Sequence, residues 1–132
     1  MPFHFEFNPE HRILLVVAEG EFGDADQLGI IDEIRKQTIV LNVAAGIGDY
    51  SQIQSFTASA NAVQAAAQMP SPYPASIPRF LVALVDHVFG VSRMYKAQAD
   101  ETRSTLKVVR SRAEVFKSLG VSNPIFERLD PL

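Results

Sequence analysis

Ser51, His87 and Asp49 have the side-chain types of a nucleophile, a base and an orienting acid, and a fold that carried them to the ends of neighbouring strands would bring them together. The chemistry would be acyl transfer. The surroundings of Ser51 argue against it, because no Gly-x-Ser-x-Gly elbow strains the serine and no glycine-rich oxyanion loop accompanies it. His4, His11 and His87 show no ligand spacing such as His-x-x-x-His, so a metal centre is not expected either. The run "GIGDYS", residues 46–51, resembles a phosphate loop in its paired glycines. It lacks the lysine of a P-loop and the third glycine of a dinucleotide fingerprint, and it reads as a connecting turn. No catalytic residue, metal ligand or cofactor is assigned from these residues.

A second constellation would bind an anion. "DHVFGVSRMY", residues 86–95, opens a helix after the apolar run Phe80 to Val85. Gly90 would let a ligand phosphate approach the first turn, where free N–H groups attract anions, or would let the helix pack close to a sheet; the packing role is the favoured one. Arg93 presents a rigid fork to a carboxylate or phosphate, or pairs locally with Asp86 or Asp100; again the structural role is favoured. In an open α/β sheet, ligands collect where strand ends meet helix N-termini. That rim would hold Asp49, Tyr50 and Ser51 from a third strand, Asp86 and His87 from a fourth, Gly90 and Arg93 from the next helix, and Arg110 and Ser111 from a fifth strand. Met94 and Tyr95 read as core.

The elements that would position these residues follow from periodicity. "FHFEF" alternates Phe3, Phe5 and Phe7 with His4 and Glu6, as in a strand covered on one face, with His4 outward. "NPEH" turns the chain into "RILLVVAEG", giving an antiparallel hairpin. A helix begins at Asp24 as N-cap, with Gln27 closing a capping box and Leu28, Ile31, Ile34, Thr38 and Leu41 on the inner stripe. A short third strand falls between residues 43 and 54, and a helix capped by Ser55 or Thr57 spans Thr57 to Gln68. Pro70, Pro72, Pro74 and Pro78 impose an extended connection. Phe80 to Val85, without alternation, predicts a central strand buried on both faces. Asp86 starts the next helix, "TLKVVR" forms the last strand, and Ser111, Glu114 and Gly120 bracket the last helix. Pro124, Ile125, Phe126 and Leu129 should fold back on the body.

The order β-β-α-β-α-β-α-β-α predicts an α/β fold with a mixed, mostly parallel sheet covered by helices. The chain has 132 residues with 47% hydrophobic content, enough for one core, so one domain is expected, with its body over residues 3–120 and a tail over 121–132. The net charge of −3 comes from interspersed acids and bases and offers no basic stripe, so nucleic acid is not an expected partner. Absence of cysteine excludes disulfides, thiolate chemistry and cysteine-ligated clusters. "MPFHFEF" is unlike a secretory leader, and the longest apolar run is too short to span a membrane. A soluble, cytoplasmic protein is expected.

The stretch from Ile77 to Gly120 resembles the SpoIIAA-like, or STAS-like, family of small bacterial proteins. The resemblance is carried by Asp86 at a strand end, Phe89 with Gly90 opening a helix, the Ser92-Arg93-Met94 run, the strand from Leu106 to Val109, and Glu114 with Leu119 in the final helix. It implies a STAS-like domain related to anti-sigma-factor antagonists and, more distantly, to lipid-carrying modules. In the phosphoregulated members a serine in an Asp-Ser-Ser-Gly run is phosphorylated by a partner kinase. Matching Asp49 to the family's strand-end Asp places Ser59 at the phosphoacceptor position, without the flanking Asp and Gly. The function implied is a non-enzymatic regulatory module that binds a protein partner. The alternative is a carrier of a small apolar or amphipathic ligand, suggested also by alanine-rich helices that leave space beside a sheet. An enzyme comes third. Self-association as a two-fold dimer is expected through Ala58–Ala67 and the Pro70–Pro78 segment.

Overall fold

Ile13 to Ala18 is an unbroken apolar run, and every residue of it is buried, alternate side chains entering opposite hydrophobic clusters. Such a strand needs covering on both faces. The computed structural model, which describes residues 2–98 and 105–129, shows how it is covered. The elements are β1 (Phe3–Asn8), β2 (Ile13–Phe22), α1 (Asp24–Val40), β3 (Ala45–Phe56), α2 (Ala60–Gln68), β4 (Arg79–Val82), α3 (Asp86–Gln98), β5 (Leu106–Val109), α4 (Arg112–Leu119) and β6 (Glu127–Arg128). The sheet order is β5-β4-β3-β2-β1-β6. β2 to β5 run parallel in sequence order, and β1 and β6 join antiparallel. The chain is thus an α/β protein with a mixed sheet.

The strand order decides the layers. Parallel crossovers share one hand, so a series that always steps in the same direction delivers its helices to one face. Accordingly α1, α2 and α3 share a cluster with Leu14, Val16 and Ala18 of β2. The opposite face carries Ile13, Leu15, Val17, Ile47 and Phe80, and among the described residues α4 and the following segment cover it, through Val115, Phe116 and Phe126.

Several expectations are corrected by this arrangement. The buried two-sided strand is β2. β4 lies between β3 and β5, ends at Val82, and turns away after Ala83, leaving Leu84 60% and Val85 51% exposed. β3 is long, and "GIGDYS" lies inside it rather than in a turn. α1 is capped at Gly23, whose N–H donates to Asp26 Oδ2 at 2.9 Å; Gln27 is buried and Leu28 is largely exposed, so the inner stripe is rotated by about one position. Asp24 instead accepts the Ser59 N–H at 2.6 Å, joining the starts of α1 and α2, and Ser59 rather than Ser55 or Thr57 caps α2. His4 faces away from the phenylalanine side but is only partly exposed, against Glu6 and Glu19. In the tail, Phe126 stacks on Phe116 and Leu129 packs inward, whereas Ile125 stays exposed. The final helix is as read: Ser111 Oγ accepts the Glu114 N–H, and Gly120 ends it with φ +70°. No helix among the described residues is long and apolar enough to cross a membrane.

Val82 is buried on the α4 side as the register partner of Asp49, so Val82→Asp adds a second buried carboxylate beside one that already occupies Arg112. We expect loss of more than about 4 kcal/mol of stability, enough to unfold a domain of this size. Circular dichroism of the purified variant checks this, and a cooperatively folded V82D protein would refute the placement.

Candidate functional site

Along β3 successive side chains alternate between faces, and Gly46, Gly48 and Tyr50 fall on the side covered by α1, α2 and α3. Glycine in a strand interior weakens it and marks a close approach. Here the approaching group is Tyr73: a Cβ at position 46 would lie 2.9 Å from its Cε1 and closer still to Cζ and Oη. A Cβ at Gly48 would meet Leu81 Cδ2 at 3.0 Å. Tyr73 and Leu81 thus take the places of the missing side chains, and beside them a cavity of about 60 Å³ remains between the strand and the helices.

Ile30, Ile31 and Ile34 of α1, Val63 of α2 and Val91 of α3 make its wall apolar, while Gly46 and Gly48 form the floor. The polar lining is sparse and particular: Gln27, Ser92, Tyr50, Tyr73, Tyr95 and Arg79, each of them buried. Arg79 donates to Ser71 Oγ, and its guanidinium lies 5.8 Å from the Tyr73 ring centroid. Tyr50 and Tyr73 are each only 8% exposed, and among the described residues neither hydroxyl has a hydrogen-bond partner. Burial pushes both phenols well above their ordinary range. For Tyr50 the neighbouring Tyr95 and Tyr73 add to the rise; for Tyr73 the Arg79 charge partly opposes it. Both therefore stay neutral and keep a proton to donate.

The residues expected on one rim divide among different places. Asp49, 1% exposed, faces α4 and accepts from Arg112 Nε and from the Ser51 N–H. Tyr50, next in sequence, faces the cavity on the other side of the sheet. Asp86 accepts from Arg110 Nη1 at 2.9 Å, and Arg110 also donates to the Leu84 carbonyl and stacks over Phe89 at 3.8 Å. His87 is exposed with its ring edge-on to Phe56, so it forms no triad with Ser51 and Asp49. Gly90 is exposed, and a side chain there would meet nothing within 4 Å, so neither close helix packing nor a ligand cradle explains it. Arg93 is exposed on α3, and the suggested partner Asp100 lies outside the described residues. Ser59 is exposed at the start of α2, with Oγ accepting the Ala62 N–H and donating to Asp24 Oδ2. No described group of His, Asp and Glu is arranged to hold a metal ion.

Of the expected rim, only Tyr50 reaches the cavity. Gln27, Tyr73, Arg79 and Ser92 were not anticipated. The signal that pointed to the cavity was Gly46-x-Gly48-x-Tyr50 at period two, which describes one face of a strand as well as it describes a loop. No protein-family model matches this chain, and no curated protein matches it by sequence.

Two measurements test this geometry. Gly46→Ala should cost about 1–3 kcal/mol by overpacking against Tyr73. In a double-mutant cycle with Tyr73→Ala the cost should largely disappear, because the colliding ring is gone; additive losses in urea unfolding would refute the contact. Arg112→Ala strands the Asp49 carboxylate beneath α4 and should cost about 3 kcal/mol. Adding Asp49→Ala should recover part of that loss, and a variant with only Arg112→Ala that unfolds like the parent would show the pair to be unimportant.

Proposed function

We propose that this protein is a binding module for one small molecule with a short apolar body and a polar head, held between the sheet and α1–α3. The observation that carries the reading is a cavity with apolar walls that two buried tyrosines, Tyr50 and Tyr73, line with neutral phenols beside Gln27 and Ser92. Phenylalanine at either position would fill the same ring space, so hydroxyls at both places favour an occupant with a polar group. The volume argues for a small ligand rather than a lipid. At about 60 Å³ the cavity is less than half the size of one of about 150 Å³ that admits benzene.

Catalysis draws no support from the arrangement, since the triad residues are apart and the acids of the expected rim are occupied by arginines. The relation to STAS-like domains remains part of the proposal, supported by the mixed α/β sheet and the residues of α3 and α4 that carry the resemblance. A second reading, a phosphoregulated protein-binding module of that family, has one observation in its favour: Ser59 is an exposed hydroxyl at the first turn of α2. A phosphate there would displace Asp24 and so release the start of α1 from α2. Phosphate found on Ser59 in protein isolated from its own host would bring that reading forward.

The binding reading is tested by a screen of small alcohols, ketones, amides and acids, followed by nuclear magnetic resonance. At least one compound should raise the melting temperature and shift the amides of Gly46, Gly48 and Tyr73 together. A screen in which every hit shifts only surface amides would overturn it.

A further inference from the structure

We infer that the ligand of this cavity is a small primary carboxamide, its amide group paired with the Gln27 carboxamide and bonded to the Tyr50 hydroxyl, and its carbons lying along Ile30, Ile31 and Ile34. The inference rests on the small-molecule reading above and specifies the chemistry of the head group.

Gln27 is the residue that leads to it. Gln27, Ile30, Ile31 and Ile34 recur at the spacing that puts side chains on one face of a helix, and all four are buried and line the cavity. A glutamine thus stands in a row that is otherwise isoleucine. It has no part in capping α1, since Asp26 supplies the carboxylate that accepts the Gly23 N–H. Gln27 is 4% exposed, and its carboxamide takes no hydrogen bond from the described residues. A polar group so deeply buried is costly unless bonded, so an occupant that bonds it is favoured.

What completes a carboxamide is chemically narrow. Its oxygen accepts and its NH2 group donates, side by side on one planar group, so the best partner offers one donor and one acceptor at the same spacing. A second carboxamide does so with two parallel bonds. A ketone or a carboxylate would accept from the NH2 group and leave the Gln27 oxygen without a donor, and an ammonium would do the reverse. The other edge of the ligand's amide meets hydroxyls: Tyr50 and Ser92 also line the cavity, and each can donate or accept.

The direction of α1 sets which end of the cavity is which. α1 joins the parallel strands β2 and β3 and so runs back against them. Its start lies at the end where the Tyr50 ring packs 5.4 Å from that of Phe22, two residues before the helix. Its last turn, where Thr38 donates to the Pro72 carbonyl, lies at the end where Tyr73 covers Gly46. Gln27 and Tyr50 therefore share one end, and Ile34 lies toward the other. An amide head at the first end with two or three carbons toward the second suits a volume of about 60 Å³.

The experiment is a titration of the whole protein with propionamide, butanone and sodium propionate, followed by amide and side-chain chemical shifts. The three molecules have nearly the same shape, but the first head donates and accepts, the second only accepts, and the third only accepts and is charged. Each titration is repeated with Gln27→Met, which keeps the length of the side chain and removes its amide. Propionamide should bind saturably, shift the Gln27 side-chain amide and the Gly48 backbone amide, and bind about tenfold more tightly than either analogue, as expected when a buried hydrogen bond is left unmade. In Gln27→Met its affinity should fall by about the same factor, while that of butanone holds or rises. Butanone or propionate binding the parent as tightly as propionamide overturns the carboxamide assignment and leaves the cavity a binding site, and this comparison decides the head group even where Gln27→Met does not fold. Undiminished propionamide binding by a folded Gln27→Met protein overturns the assignment as well. No shift of cavity amides with the three probes, beside a compound from the wider screen that does shift them, overturns this inference alone; no shift with any compound of either set overturns the reading it rests on too.

Discussion

The Tyr73 ring occupies the space that a side chain on residue 46 would need, and the helical layer is arranged around that contact. An interior glycine costs a strand about 0.5–1 kcal/mol of backbone entropy relative to alanine. The cost is offset because the aromatic ring covers the bare backbone and is itself buried. The segment that delivers Tyr73 is stiffened by Pro70, Pro72 and Pro74, whose fixed φ angles reduce the freedom lost on folding. It is then tied to α1: Arg35 Nη2 donates to the Pro70 carbonyl at 2.8 Å, and Thr38 Oγ1 to the Pro72 carbonyl at 3.0 Å. α1 is thereby held by the segment that lies beneath it, and the space left over Gly46 and Gly48 is a consequence of rigid neighbours rather than of loose packing.

The two faces of β3 do different things with alternate residues. Ala45, Ile47 and Asp49 turn toward α4; Gly46, Gly48 and Tyr50 turn toward the cavity. On the α4 side a single short helix must stay on the sheet, and the ion pair between buried Asp49 and Arg112 at its start supplements Val115 and Phe116. Such a pair adds little net stability compared with apolar packing, but breaking it is costly, so it fixes position more than it adds affinity. On the cavity side three helices enclose a larger volume than their side chains fill. The long parallel pairing of β2 with β3 passes through register shifts between Val17 and Glu19 and between Gly20 and Glu21 and still continues to Phe22 and Phe56.

Much of this was legible in the sequence where a local signal has one meaning. The alternation of Phe3, Phe5 and Phe7, the Ser111–Glu114 cap with Gly120, and the start of α3 at Asp86 all appear where spacing put them. Reading failed where one signal serves two structures. "GIGDYS" suits a turn by composition and a strand by period, and only the arrival of Tyr73 from a distant segment decides between them. Phe80 to Val85 is apolar throughout, yet the strand ends at Val82, because apolarity does not say where β5 stops offering backbone partners. Gln27 looked like a capping side chain because it follows Asp24 at the right interval; the cap is at Gly23, one residue earlier, and that turns Gln27 inward.

The same ambiguity explains why the reactive-looking residues did not mark the site. Asp49, Asp86, Arg110 and Arg112 are conspicuous in a sequence because they are charged, but charge in a folded chain is most often matched locally, and here arginine and aspartate pair across adjacent strands and helices. The Asp86–Arg110 pair is exposed, worth about 0–1 kcal/mol, and leaves little capacity to hold anything else. Tyrosine is less conspicuous, since its ring gives it an ordinary place in a core. What separates Tyr50 and Tyr73 from ordinary core residues is that their buried rings line a cavity and their hydroxyls take no hydrogen bond from the described residues. A site of this kind shows itself through hydrogen bonds the protein leaves unmade, and those become visible only when every packed neighbour is in place.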